Sequence, residues 1–159
     1  MLTIDVLEMC RDYDKDMQEL KNQKSRYMDA AASVGSAPRG GGGGSSGKSD
    51  PTMRWAIKLK QVDDMVTLRQ EMHESELDAA CQLFDRLGWL AARIMHRFYI
   101  CGDTQRGIAR RLNYSEEYIR QQRKKTLEML PQEVPAGLLP PDYAKKYKRY
   151  QAYVLKNFG

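Results

Sequence analysis

The sequence predicts an all-α protein: an N-terminal helical hairpin of coiled-coil character with a Gly-rich linker between its arms, then a helix-turn-helix, then a basic C-terminal helix. Three observations carry this. Apolar side chains recur three and four residues apart through most of the chain, the period of a helix face. The residues that punctuate helices gather between those stretches, with seven of the twelve glycines in 34–50 and four of the six prolines in 131–141. Thr104 and Ser115 each stand just before a short periodic run, where an N-cap belongs.

The 159 residues suffice for one helical domain with a modest core plus an appendage. The formal net charge of +5 is unevenly placed. Residues 1–33 hold five basic and seven acidic side chains, and 51–103 hold seven and eight. The excess lies in 104–130, with seven against three, and in 131–159, with five against two. A basic C-terminal half suggests a polyanion partner there and a protein partner for the N-terminal half.

Residues 1–33 form the first helix. Val6, Cys10, Tyr13, Met17, Leu20, Lys24, Tyr27 and Ala31 trace a heptad seam with Lys24 as its polar flaw. A coiled-coil arm and an ordinary amphipathic helix packed on the domain both fit. Residues 34–50 are a Gly/Ser linker, since ordering them would cost entropy with no apolar return. Gly42 to Ser49 satisfies the nucleotide-binding pattern GxxxxGK[ST]. That loop needs a buried strand before it and a helix after it, and Asp50-Pro51 follows at once, so nucleotide binding is not expected.

Residues 51–87 form a long helix opening at Asp50-Pro51-Thr52 and pairing with the first. Its seam runs Trp55, Leu59, Val62 and Val66, then Ala80, Leu83 and Leu87, with Arg69, His73 and Glu76 interrupting it. That interruption suggests the first half serves the hairpin and the second half the following domain. Gly88 marks a break. Residues 88–130 are the expected DNA-binding domain, whose first helix, Trp89 to Ile100, turns Leu90, Ile94 and Phe98 inward. Cys101-Gly102-Asp103 ends it.

Thr104 caps a helix carrying Ile108, Ala109 and Leu112, and Asn113-Tyr114 makes the turn, Asn being tolerant of left-handed backbone. Ser115 caps the next helix, with Glu116 and Glu117 at the end its dipole favours for negative charge. Ile119, Thr126, Leu127 and Leu130 face inward, and Arg120, Gln121, Arg123, Lys124 and Lys125 face outward. Arg and Gln are suited to base edges. After four prolines in eleven residues, 131–159 closes with a helix from Asp142 to Phe158. Its Tyr143, Tyr147, Tyr150, Val154 and Phe158 share one face, suited to docking on the domain or, as tyrosines among lysines, to nucleic acid.

Three cysteines, Cys10, Cys81 and Cys101, form no CxxC pair and have only His73 and His96 as further candidate ligands. They read as buried small apolar side chains in a reducing cytosol, with no metal or cofactor expected. No apolar run approaches the roughly 20 residues that span a bilayer, and the acidic start, MLTIDVLEMCRDYDKD, is unlike a signal peptide. The expected location is cytoplasmic.

From about Trp89 to Leu130 the chain resembles the fourth conserved region of bacterial sigma factors. Arg97-Phe98-Tyr99-Ile100-Cys101-Gly102-Asp103-Thr104, Ile108-Ala109, Ser115, Ile119-Arg120-Gln121, Lys125, Leu127 and Leu130 carry the likeness. The wider layout is similar to sigma-like proteins of phages and prophages and to phage late-transcription regulators of the ArpU and RinA kinds. The resemblance implies a sequence-specific regulator acting at promoters with the RNA polymerase of a bacterial host, without replacing a sigma factor alone. Glu116, Glu117, Arg120, Gln121 and Lys124 would face bases of double-stranded DNA, and Thr104, Arg106, Arg110, Ser115, Arg123 and Lys125 phosphates. A departure at Glu116 and Tyr118, where sigma factors usually carry arginines, argues for another target sequence. The N-terminal helices would face polymerase or form a homo-oligomer. The alternative is a structural adaptor that grips DNA or protein without controlling transcription. An enzyme is not expected, for no catalytic set stands at useful spacing.

Overall fold

A computed structural model describes residues 1–35 and 50–159. The expected linker, with its GxxxxGK[ST] match, lies almost wholly outside these. Among the described residues all regular elements are helical: α1 Thr3–Gly35, α2 Pro51–Phe84, α3 Trp89–Met95, α4 Gln105–Leu112, α5 Glu116–Met129 and α6 Tyr143–Phe158. A π-helical turn, His96–Ile100, continues α3. No described helix is long and apolar enough to cross a membrane.

The chain divides into two compact units, Lys15–Leu68 and Met1–Asp14 with Arg69–Gly159. The divisions fall inside both long helices, at Asp14/Lys15 and Leu68/Arg69. In α2 the division stands at the start of the stretch Arg69, His73 and Glu76. The first turns of α1 bury a second row of side chains, Leu7 and Met9, beside the seam residues Val6 and Cys10.

Within Lys15–Leu68, Met17 and Leu20 of α1 and Val62, Met65 and Leu68 of α2 are buried. Lys24, the polar flaw of the seam, pairs with Asp63 at 2.7 Å. Tyr27 meets Trp55 with ring centroids 5.7 Å apart, and Lys58 lies over both rings.

In the larger unit, Leu7 and Cys10 of α1 pack with Ala80, Leu83 and Phe84 of α2, Met95 and Tyr99 of the α3 region, and Leu130. Leu127 and Leu138 close over this core. α2 stops at Phe84, short of the predicted Leu87, and α3 starts directly after Gly88, which holds an extended N-cap backbone. The chain's first residues lie against the segment that follows α5. Thr3 N–H donates to Gln132 O at 2.9 Å and Val134 N–H to Met1 O at 3.0 Å, flanking a bridge between Leu2 and Glu133.

The polar interruption of α2 is wholly buried at two of its three residues. Arg69 and Glu76 are both wholly buried and paired at 3.0 Å, and Arg69 also donates to Met9 O. Tyr143 donates its phenolic hydrogen to Glu76 Oε1 at 2.6 Å. His73 stacks on Tyr13, ring centroids 3.7 Å apart. Charges at this depth persist only when paired and hydrogen-bonded. α6 docks here through buried Tyr143 and Tyr150, and Lys146 pairs with Glu71. The expected burial of the cysteines holds for Cys10 alone. Cys81 and Cys101 are exposed free thiols, the first on the outer side of α2 and the second where the π-helical turn ends.

Candidate functional site

The exposed side of α4 and α5 is built by local capping and a small apolar core. Thr104 Oγ1 accepts from Gly107 N–H at 3.0 Å, satisfying an otherwise unpaired donor of the first turn of α4. Asn113 ends α4 in left-handed backbone, φ 58°, and Tyr114 N–H reaches back to Ala109 O at 3.0 Å. Ser115 Oγ accepts from Tyr118 N–H at 3.1 Å and starts α5. Three residues therefore set the start of α4, the turn and the start of α5.

Ile94, Ile108, Ala109 and Ile119 form one buried cluster, with Leu90, Phe98, Leu112 and Tyr118 around it. Ala109 is 5% exposed where α4 meets its neighbours, so a larger side chain would push the helices apart. Ile108 and Ile119 are completely buried, each contributing about 1.5–3 kcal/mol. Ile119 locks the inner side of α5 and thereby fixes which side chains stand outside.

Outside stand Glu116, Glu117, Arg120, Gln121, Lys124 and Lys125, all exposed, with exposed Arg106 and Arg110 on α4. Thr104 and Ser115 are exposed as well, their oxygens already accepting cap hydrogen bonds. Arg123 differs from expectation. It lies half-buried with its guanidinium carbon 4.1 Å from the Phe98 ring centroid and Nη1 3.4 Å from Tyr99 Oη. The reason is register: Arg123 follows Ile119 by four residues and precedes Thr126 by three, so it shares their inner side.

Glu117 organises the outer face. Arg120 donates to both its carboxylate oxygens, at 2.8 and 2.6 Å, and Gln121 Nε2 donates at 2.8 Å. The hydrogen bond from Arg120, then that from Gln121, hold the Glu117 carboxyl below its ordinary range, and the same pairing raises Arg120. The pair is solvent-exposed, with side chains 57% and 55% accessible, so opening it costs little. The sequence spacing of three and four from Glu117 allowed this triad, which the residue-by-residue reading missed. Also missed were Arg111, exposed and 4.0 Å from Asp103, and the stacked Tyr114–Tyr118 pair, centroids 4.6 Å apart.

The site thus offers guanidinium, carboxamide and ammonium donors along one exposed helix, able to hydrogen-bond an anion or the acceptor edges of bases. The described residues bring together no three His, Cys, Asp or Glu side chains fit to hold a metal ion. The chain matches no protein-family model, no curated protein and no solved structure.

Proposed function

We propose that α4 and α5 are a helix-turn-helix of the sigma region-4 kind and that the protein is a sequence-specific DNA-binding regulator of transcription, of phage type, acting at promoters with a host RNA polymerase. α5 lies in the major groove. Glu116, Glu117, Arg120, Gln121 and Lys124 face base edges, and Thr104, Arg106, Arg110, Ser115 and Lys125 meet phosphates. Arg123, engaged with Phe98, leaves the phosphate set.

The observation that supports this best is the exposure of Arg120 and Gln121 on a helix whose opposite side is fixed by buried Ile119. Had those two side chains been enclosed, no duplex could reach them. Glu117 holds both in a defined orientation, and a base edge can replace it as their acceptor at small cost.

The test begins with selection of duplexes from a random pool, followed by gel-shift titration of the selected site against random sequence. Arg120→Ala is expected to weaken the selected site on the order of tenfold to a hundredfold while changing random duplex far less. Equal loss on both would end the base-reading role. A reporter driven from a promoter that contains the selected site then separates regulator from adaptor, because DNA binding with no change in transcription would favour the adaptor.

A further inference from the structure

From the two faces of α6 we infer that this helix is a second phosphate-contacting surface, gripping the backbone of the duplex that α5 reads. The inference rests on the DNA-binding reading above. α6 has a definite inside and outside. Tyr143 and Tyr150 are buried, Tyr147 and Val154 are half-buried beside them, and the Tyr143 hydroxyl is tied to Glu76. At 3.6 residues per turn, Lys145, Lys148, Arg149 and Lys156 fall on the opposite side, and all four are exposed.

Residues 143–158 contain no acidic side chain to balance these charges. The cation nearest the acids, Lys146, is satisfied by Glu71 at 3.0 Å and Asp142 at 3.1 Å. The four outward cations have no ion pair with an acidic side chain among the described residues. Lys145 also stands in the first turn, where the helix dipole disfavours positive charge. A solvated surface would gain from mixing acids among these bases, and a polyanion gives the unmixed arrangement a use.

The polyanion is a nucleic acid more readily than a lipid surface. Membrane-surface helices insert an apolar face, and the apolar face of α6 is already engaged within the protein. Its exposed large apolar side chains, Leu155 and Phe158, are confined to the last turn. From Lys145 to Lys156 the helix rises roughly 16 Å at 1.5 Å per residue, a length over which duplex DNA presents about ten phosphate charges. Several can be met at once without any base contact, so the surface adds affinity and leaves sequence preference to α5.

The experiment measures, by fluorescence anisotropy, the affinity of the full chain for its selected duplex and for random duplex between about 50 and 200 mM salt. Lys145→Gln/Lys148→Gln/Arg149→Gln together should make the plot of log affinity against log salt shallower by about 2.7, roughly 0.9 for each phosphate no longer neutralised. The ratio of selected to random affinity should stay unchanged. Lys146→Gln serves as control and should leave the slope as it is, its charge being already satisfied within the protein. A wild-type slope in the triple variant, with wild-type binding intact, would overturn the inference and leave the role of α5 standing. Failure of the wild-type chain to bind any duplex, or its capture instead by phosphatidylserine vesicles, would overturn both.

Discussion

Arg123 lies over the ring of Phe98, its guanidinium carbon 4.1 Å from the centroid, and Arg11 approaches the same ring to 3.8 Å from α1. One aromatic side chain thus receives a cation from each of two helices far apart in sequence. Arg11 further donates to Phe98 O and, at 3.2 Å, to Asp103 O. The π-helical turn is fastened from both sides, immediately before the loop that leads into α4.

Arg123→Ala is therefore expected to lower stability by about 1–2 kcal/mol, the worth of a partly desolvated cation over a ring with its hydrogen bond. Urea denaturation measures it. Arg123→Lys should recover little, since an ammonium lacks the flat face that stacks. The salt dependence of the proposed DNA binding should not change. A shallower slope with unaltered stability would return Arg123 to the set that meets phosphates.

Tyr143, Glu76 and Arg69 predict a graded series. Tyr143→Phe removes one charge-assisted hydrogen bond and should cost about 1.5–3 kcal/mol. Glu76→Ala takes the carboxylate from a buried guanidinium and should cost about 3–5 kcal/mol, whereas replacing Arg69 and Glu76 together by Met and Leu should cost far less. Denaturant midpoints of the three variants check the order. A double replacement worse than Glu76→Ala would contradict it.

Alkaline pH should destabilise the fold through Cys10. Burial, then the nearby Glu76 charge, pushes this thiol from 9.0 up to about 12. Below pH 9 both folded and unfolded chains keep the proton and the thiol has no effect. Between pH 9 and about 12 the unfolded chain ionises first, so stability falls with rising pH, by roughly 1.4 kcal/mol per pH unit at the steepest. Tyr143, raised chiefly by burial, acts in the same direction above its ordinary value of 10.0. Unfolding midpoints across this range should slope less in Cys10→Ala than in wild type.

The turn between α4 and α5 should respond to backbone shape. Asn113→Val forces a branched side chain into left-handed backbone and should cost about 1–2 kcal/mol, while Asn113→Gly should be nearly neutral. Ser115→Ala should cost about 1 kcal/mol by leaving Tyr118 N–H without its cap. Thermal unfolding distinguishes these cases.

What the sequence made legible was chiefly local. Thr104, Asn113 and Ser115 act on amides within a few positions of themselves, so their roles can be read from neighbours. Ile119 likewise fixes the inner side of α5 by period alone. The same period placed Arg123 inside, but its charge argued for solvent, and the ring that accepts that charge comes from Phe98 on another helix. Arg69 and Glu76 looked like a break in packing for a similar reason. Their burial depends on Met9 and Tyr143, distant in sequence and unpatterned with them. Leu7 and Met9 escaped notice because α1 meets more than one neighbour, and a single heptad seam describes only one.

The strap between Leu2 and Glu133 joins the start of the larger unit to the segment after α5, 131 positions on. Met95, Tyr99 and Leu130 rest against Leu7, Cys10, Ala80, Leu83 and Phe84, so an excised 88–130 fragment would bare these three side chains to water. During synthesis the opening turns of α1 can pack on Ala80, Leu83 and Phe84 first, and the bridge at Leu2 closes only once Glu133 has emerged. A product truncated after Leu130 would carry α4 and α5 without the contacts that hold Leu2 and Thr3 in place.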